Sequence, residues 1–295
     1  MTTIKIKPPE IFNYEECLWF LDRGFDDCLH QINKNTITKA LKIQNNLFLV
    51  SIRYEGTLLS IQILQGNPSA KEGELIKSYI SQWFDLYTDL EKFYKIANKD
   101  PVLKPLIKKY WGLRLIGIED LFEALCWAII GQQINLSFAY KTKRALVENY
   151  GRTIEHNGTS HYLFPTPDTL SNCSVEALKK LQFSRNKAQY LISLAKDFRD
   201  GIISKDQLMA LDSKENMLTR LTNLKGVGAW TANYAMMKCL KIPTAFPIQD
   251  VGLHNALKQQ LGLKEKPTLE SIQQLAKNWK NWEGYATLYL WRSLV

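Results

Sequence analysis

The chain has 295 residues and a formal net charge of +9, with 45% hydrophobic and 23% charged residues. This composition is typical of a globular protein and argues against a disordered one, and the length suffices for one large domain or two modest ones. The 5 cysteines are spread widely without a C-x-x-C pair, which argues against a disulfide framework and against a zinc or iron–sulfur site. The chain has neither an apolar signal core nor an apolar run of about 18 residues, so we expect an intracellular protein without a membrane segment.

The positive charge is concentrated near the C-terminus. Residues 221–295 hold nine Lys or Arg and four Asp or Glu, a net of +5 out of +9 for the chain. A basic region of this kind favours a polyanionic partner. We therefore expect the last quarter of the chain to make any contact with phosphates.

The first 85 residues carry strand patterns. Alternating or β-branched apolar runs occupy residues 3–7, 47–52 and 57–64, and the segment 54–57 between the last two predicts a hairpin turn. Residues 14–22 predict a helix with Trp19 and Phe20 turned inward. We expect residues 1–85 to form a small N-terminal α/β domain that contains an antiparallel sheet.

Helical patterns take over beyond Gly73. Residues 74–86 have apolar side chains at helical spacing, and Asp120 with Glu123 fits a capping box at the start of another helix. Ser174 and Ser184 are plausible caps for two further helices. Residues 150–168, rich in Gly, Thr, Pro and His, predict a loop. The fold class is therefore α+β, with a mostly helical region over residues 86–295.

The segment 221–232 has the pattern L-x-x-L-x-G-V-G-x-W-T-A between two predicted helices. Gly226 and Gly228 permit a tight turn with positive φ. The first N–H groups of the second helix are unpaired and carry the positive end of the helix dipole, so a phosphate oxygen can dock there. A bare G-x-G turn between helices also occurs without any ligand.

An aspartate ends the loop that follows the second helix. Asp250 comes after a segment stiffened by Pro243 and Pro247 and precedes a predicted helix, so it is well placed as an N-cap. Capping is also its ordinary role, because most such residues take no part in chemistry. A fixed carboxylate can, however, stabilise positive charge or activate a water molecule.

The turn and this aspartate together resemble the helix-hairpin-helix DNA glycosylase superfamily. The similarity is closest to its DNA-3-methyladenine glycosylase II branch, and it is strong over residues 122–139 and 221–291. Residues 1–85 are similar in pattern to the extra N-terminal domain of that branch, half of a TBP-like fold, and the remainder to a helical body in two subdomains that flank a cleft. The resemblance implies that Asp250 lies beside the deoxyribose C1′, where cleavage of the N-glycosidic bond builds positive charge.

The resemblance also implies the other site residues. Trp230, Tyr234 and Trp291 match the aromatic side chains of the family's base pocket, which would bind a cationic alkylated base by cation–π contact. Trp230 stands where the bifunctional members carry a Schiff-base lysine, so we expect a monofunctional enzyme that does not nick DNA. Trp279 and Trp282 are expected to pack in the core. The residues that match the family's contacts to the DNA backbone are Leu224, Lys225, Gly226, Val227, Gly228 and Thr231.

Gln132 and Gln133 match the segment that fills the stack after the base has flipped out. The bacterial branch places leucine where Gln133 stands, so a polar side chain would face the orphaned base here. We expect no required cofactor and no metal held by side chains, although the family's hairpin binds a structural monovalent cation through loop carbonyls. Damaged double-stranded DNA is the expected partner, and the protein is expected to act as a monomer.

Three other interpretations remain at this stage. One is a glycosylase for oxidised or deaminated bases, and the absent lysine and the absent four-cysteine cluster argue against its lyase-type members. The second is a helix-hairpin-helix protein that binds DNA without catalysis, which gives no reason for Asp250 or for the aromatic residues. The third is a helical interaction protein without DNA chemistry.

Overall fold

The structure is a computed structural model that describes residues 2–25 and 27–295. An antiparallel sheet near the N-terminus precedes a helical body, as the sequence predicts. The sheet has the strand order β1-β5-β4-β3-β2, and every neighbouring pair is antiparallel. Its strands are β1 (Thr3–Ile6), β2 (Gln31–Asn33), β3 (Thr36–Ile43), β4 (Asn46–Glu55) and β5 (Leu58–Gln65).

Strands β2 and β3 were not identified from the sequence, and β3 shows why. Ile37, Leu41 and Ile43 point to the core at every second or fourth position, but Lys39 interrupts this alternation. Its buried amine donates to the Leu29 carbonyl at 3.1 Å and lies 5.1 Å from the centre of the Trp83 ring. These contacts allow a charged residue in the buried row, so the polar position does not end the strand.

Two helices accompany the sheet, and both differ from the sequence prediction. They are α1 (Tyr14–Leu21) and α2 (Ala70–Trp83). Phe20 packs against the core, as predicted, whereas Trp19 is half-buried with its ring against the Arg292 guanidinium, and Cys17 and Leu18 fill the core side of α1. Helix α2 begins before Gly73, because Ser69 and Glu72 form a reciprocal capping box.

The remainder of the chain is mainly helical. The Asp120, Ser174 and Ser184 caps are confirmed, because each side chain accepts a backbone N–H of the helix it precedes. Among the described residues, no helix is long and apolar enough to cross a membrane. The helices that follow α2 are α3 (Leu90–Ala97), α4 (Leu103–Lys109), α5 (Leu121–Gly131), α6 (Leu136–Tyr150), α7 (Pro167–Ser171), α8 (Val175–Lys180), α9 (Arg185–Arg199), α10 (Lys205–Met209), α11 (Lys214–Thr222), α12 (Ala229–Lys238), α13 (Val251–Gln260), α14 (Leu269–Ala276) and α15 (Glu283–Arg292).

The predicted loop over residues 150–168 is wrong. This segment contains a two-stranded hairpin, β6 (Arg152–His156) and β7 (Thr159–Leu163). Ile154 of β6 is buried against Ala40 and Leu49 of the large sheet. The pairing surface therefore comes from a distant part of the chain, which the local composition does not reveal.

Buried cations attach the segment between sheet and body to its neighbours. The Lys238 amine donates to the Ile116 carbonyl, and the Lys241 amine donates to the Leu115 carbonyl at 2.9 Å. The Arg114 guanidinium donates to the carbonyls of Ile11, Asp85 and Thr88. Burial lowers the pKa of Lys238, and these carbonyl contacts offset part of that desolvation cost.

A second link is an ion pair between Lys143 of α6 and Asp27. The amine lies 3.1 Å from both Asp27 oxygens, and the Lys143 side chain is 4% exposed. Burial alone would raise the pKa of Asp27, but the charges of Lys143 and His30 and the hydrogen bonds from Leu29 and Lys143 together outweigh it and hold the pKa well below its usual range. The stabilisation from Asp27 is therefore present at neutral pH and is lost as the pH falls through that lowered value.

We expect Lys143→Ala to lower the free energy of unfolding by about 3–5 kcal/mol, because it leaves the Asp27 carboxylate without its buried partner. Lys141 lies on the same helix and is exposed, so Lys141→Ala should change it by less than about 0.5 kcal/mol. Denaturant unfolding of both variants measures the difference. Equal stability of the two variants would show that the ion pair does not hold the sheet region to the body.

Candidate active site

Helices α11 and α12 and the short turn between them form the predicted hairpin. Helix α11 ends at Thr222 and α12 begins at Ala229. Gly226 has φ +85°, and a Cβ atom built there would lie 2.4 Å from the Tyr190 ring. Both the backbone conformation and the close packing therefore require glycine at this position.

Gly228 does not have the positive φ that the sequence suggested. Its φ is −91° and ψ 178°, an extended conformation that precedes the first helical residue. A Cβ atom there would meet nothing within 4 Å. The glycine at this position leaves open space at the start of α12, where the unpaired N–H groups of the helix emerge.

The hairpin residues divide into buried and exposed ones. Leu224, Val227 and Thr231 are 7%, 4% and 1% exposed, so their side chains cannot contact a ligand. The N–H groups of Leu224 and Val227 donate to Leu221 and Leu224 within the turn. These two N–H groups are thus used within the turn, and contacts of Leu224 and Val227 to the DNA backbone remain a prediction. Lys225 and Gly228 are exposed and remain candidates.

Asp250 is the N-cap of α13, as predicted, and its carboxylate is held by three N–H donors. Oδ1 accepts from the Leu253 backbone at 2.8 Å and from the Trp291 indole at 2.8 Å. Oδ2 accepts from the Trp230 indole at 3.0 Å. All three donors are neutral, so they orient the carboxylate without forming an ion pair with it.

The loop before Asp250 is tied to the hairpin helix. Asn233 of α12 accepts the N–H of Phe246 at 3.0 Å, and Lys214 donates to the Thr244 carbonyl at 2.6 Å. The His254 ring nitrogen Nε2 lies within hydrogen-bond distance, 2.8 Å, of the Ile248 carbonyl oxygen. This contact supports the loop and not the Asp250 carboxylate. The position of the carboxylate thus follows from contacts along the whole loop.

Gly252 contributes to the site, although the sequence analysis does not predict it. A Cβ atom there would lie 2.9 Å from Asp250 Oδ1 and 3.1 Å from the Trp291 indole nitrogen. Only glycine lets the indole of α15 reach the carboxylate at the start of α13. A glycine two residues after a candidate catalytic aspartate is the only sequence signal for this role.

The three predicted aromatic residues lie together beside the carboxylate. The Trp230 and Tyr234 rings are stacked with centroids 5.5 Å apart, and Trp291 lies 6.4 Å from Tyr234. All three are only half-buried, so they can present surface to a ligand. Trp279, by contrast, is fully buried and packs in the core, as predicted, while Trp282 is half-buried against that core.

Two further aromatic residues extend this group. The Trp127 indole donates to the Tyr234 hydroxyl at 3.0 Å, and the Tyr140 ring lies 4.6 Å from that of Trp127. Burial raises the pKa of Tyr234, so its hydroxyl stays protonated at neutral pH. Sequence reasoning missed both residues, because they lie on helices whose apolar pattern indicates only core packing.

Gln132 and Gln133 have different environments. The Gln132 amide donates to the Gly226 carbonyl at 3.1 Å and to the Thr231 hydroxyl at 3.0 Å, which commits it to the hairpin. This contact argues against a stack-filling role for Gln132. Gln133 is exposed with φ +57°, and its stack-filling role remains a prediction.

We expect Gly226→Ala to lower the free energy of unfolding by about 2 kcal/mol or more, because alanine at positive φ is strained and its methyl group would collide with Tyr190. Gly228→Ala is the matched control and should cost less than about 1 kcal/mol. Thermal unfolding of the two variants measures this. Similar losses for both would contradict the different conformations described for the two glycines.

Comparison with known proteins identifies the family. Residues 126–281 match the family described as HhH-GPD superfamily base excision DNA repair protein, and residues 12–125 match the N-terminal domain of 8-oxoguanine DNA glycosylase. A DNA-3-methyladenine glycosylase of Bacillus subtilis is 40% identical over 99% of this chain and 97% of its own length.

Solved structures agree on the fold. A 3-methyladenine DNA glycosylase from Archaeoglobus fulgidus has TM-score 0.84 at 24% identity and covers 99% of this chain and 97% of its own. A Schizosaccharomyces pombe 3-methyladenine DNA glycosylase in complex with abasic DNA has TM-score 0.55 at 25% identity and covers 67% of this chain and 93% of its own.

The match to the family covers more than half of the chain, and the Bacillus subtilis relative is similar over nearly all of it. The residues of the hairpin and the aspartate lie within the matched region. The chain therefore belongs to the HhH-GPD superfamily of base excision DNA repair glycosylases.

Proposed function

We propose that this chain hydrolyses the N-glycosidic bond of alkylated bases of the 3-methyladenine and 7-methylguanine type in duplex DNA. The observation that supports this most directly is the Asp250 carboxylate, which is fixed by Trp230 and Trp291 while these same residues form an aromatic surface. Relatives named for 3-methyladenine support the substrate class. The enzyme acts on a base that has left the stack.

The aromatic surface suits a cationic base. Methylation of a purine ring nitrogen in DNA places positive charge on the base, which then needs no general acid to leave. Rings such as Trp230, Tyr234 and Trp291 attract a cation by about 0.5–2 kcal/mol each. This attraction favours the alkylated base over the neutral bases that surround it.

Asp250 acts on the sugar. As the bond breaks, the C1′ carbon gains oxocarbenium character, which a fixed carboxylate stabilises without reorganisation. A carboxylate has about four acceptor positions, and three are occupied by N–H donors here. The remaining position, on Oδ2, is available for the sugar carbon or for the attacking water, and either use is compatible with this geometry.

The tryptophan at position 230, where a lysine would be needed for Schiff-base chemistry, determines the second feature of the proposal. Trp230 stands where the bifunctional members of the superfamily carry their Schiff-base lysine. Its indole is hydrogen-bonded to Asp250 and cannot form a covalent bond with the abasic sugar. The product is thus an abasic site in an intact strand, which also argues against the lyase-type oxidised-base enzymes.

The hairpin would hold the DNA backbone. Gly228 leaves open space in front of the first N–H groups of α12, and Lys225 is exposed beside it. A phosphate at a helix N-terminus is stabilised by these donors and by the dipole. Binding of duplex DNA follows, and a single subunit carries the whole set of groups.

A monovalent cation at the hairpin remains part of this proposal. The carbonyls of Leu224 and Gly226 each accept one hydrogen bond, from Val227 and Gln132 respectively. A carbonyl oxygen has a second lone pair, so these groups fit a weakly bound Na⁺ or K⁺. Such an ion would add positive charge near the bound phosphate.

We expect Asp250→Asn to slow base release from methylated duplex DNA by about 100-fold or more, because the negative charge of the carboxylate beside C1′ is lost. Asparagine caps a helix as well as aspartate does, so the variant should remain folded. Release of free base in single-turnover reactions measures the effect. Strands should stay intact until alkali is added.

Asp120→Asn is the matched control, since Asp120 caps α5 in the same manner and is exposed. It should release base at the rate of the unmodified protein. Full activity of Asp250→Asn would contradict the role of Asp250, and failure of the unmodified protein to release any methylated base would contradict the proposed substrate.

A further inference from the structure

A cavity of about 60 Å³ lies between the sheet region and the helical body. Phe20 and Arg23 line it from the N-terminal part, and Trp127, Tyr140, Tyr234 and Lys238 line it from the helices. The predicted site does not include Arg23 or Lys238. Tyr234 belongs both to the lining of this cavity and to the aromatic group beside Asp250.

The side chains form a continuous path from the carboxylate to this cavity. Trp230 bonds to Asp250 and stacks on Tyr234, and the Tyr234 hydroxyl accepts from Trp127. The Tyr140 ring then packs on Trp127. A base whose sugar lies at Asp250 and whose rings lie along Tyr234 would direct its far edge toward the cavity.

Arg23 presents hydrogen-bond donors to this cavity. Arg23 donates from Nε to the Phe20 carbonyl at 3.1 Å and from Nη2 to the Tyr140 hydroxyl at 3.4 Å. These two contacts leave the N–H groups of Nη1 for a ligand. The guanidinium lies 4.3 Å from the Phe20 ring centre, which helps to fix its plane. The Lys238 amine is a second donor in the lining of the cavity.

The carboxylates that line the cavity lie close to lysine amines. Both oxygens of Asp27 accept from Lys143, and Glu123 lies 3.7 Å from the same amine. Glu119 lies 3.7 Å from Lys205 and 3.8 Å from Lys241, but among the described residues neither of its buried carboxylate oxygens has a hydrogen-bond partner. At the Arg23 guanidinium an incoming amino group would meet only donors, whereas an incoming carbonyl oxygen would meet a charged donor.

We propose that Arg23 is a specificity residue that donates to the 6-oxygen of a flipped purine. It would favour guanine-type alkylated bases and hypoxanthine over bases with a 6-amino group. A guanidinium has five donors and no acceptor, so it cannot pair with that amino group. This inference rests on the proposed glycosylase function and extends it to the exocyclic group of the base.

The test uses duplex DNA treated with dimethyl sulfate, which carries 7-methylguanine and 3-methyladenine in the same molecules. Arg23→Gln should lower the single-turnover release of 7-methylguanine relative to 3-methyladenine by about 10-fold, the effect of losing one charged hydrogen bond. Arg23→Lys keeps a charged donor and should retain most of the preference. Arg53→Gln removes the same charge from an exposed position of β4 and should not change the ratio.

An unchanged ratio in Arg23→Gln, or an equal fall for both bases, would overturn the inference. Release of neither base by the unmodified protein would instead contradict the proposed function. A measurement on the unmodified protein covers the case in which Arg23→Gln does not fold. Free hypoxanthine should inhibit base release more strongly than free adenine, which differs from it at the 6-position, and equal inhibition would overturn the inference.

Discussion

The site depends on one interaction: a single carboxylate held by indole N–H groups from two helices far apart in the sequence. Trp230 lies in the hairpin helix and Trp291 in the last helix, and each donates to a different oxygen of Asp250. The helix that Asp250 caps supplies the third donor through Leu253. The carboxylate is thereby oriented before any substrate arrives, which is the condition for electrostatic stabilisation of a developing charge.

Contacts elsewhere in the structure fix the positions of these helices relative to one another. Asn233 ties the loop before Asp250 to the hairpin helix, and Gly252 allows the close approach of Trp291. Lys143 and Asp27 hold the N-terminal region against the body. The N-terminal region thereby places Phe20 and Arg23 at the end of the aromatic group that lies away from Asp250.

The sequence predicts the parts of this site that depend on local patterns. Asp250 follows a proline-stiffened loop, and the glycine turn precedes a helix, so both could be recognised from neighbouring residues and from family resemblance. The conformation of Gly228 could not, because two glycines in one turn look alike until the packing of Tyr190 distinguishes Gly226. Trp127 was likewise hidden in an apolar helix.

The large sheet shows the same division. Its hairpin over β4 and β5 was predicted from alternation, whereas β3 was missed because Lys39 occupies a buried position within it. The sequence predicts a loop where β6 and β7 form a hairpin, because the apolar partner residues of this hairpin come from the sheet. Patterns that depend on a distant partner cannot be read from composition alone.

The Trp291→Phe variant tests whether the indole N–H groups orient the Asp250 carboxylate for catalysis. Two quantities are measured: its rate of base release and its affinity for duplex DNA that carries a stable abasic-site analogue. Phenylalanine keeps an aromatic face and removes the N–H group that donates to Asp250. We expect the variant to release base more slowly than the unmodified protein by about 10-fold or more, and its affinity for abasic DNA to change by less than about 3-fold. Release at the rate of the unmodified protein would contradict it.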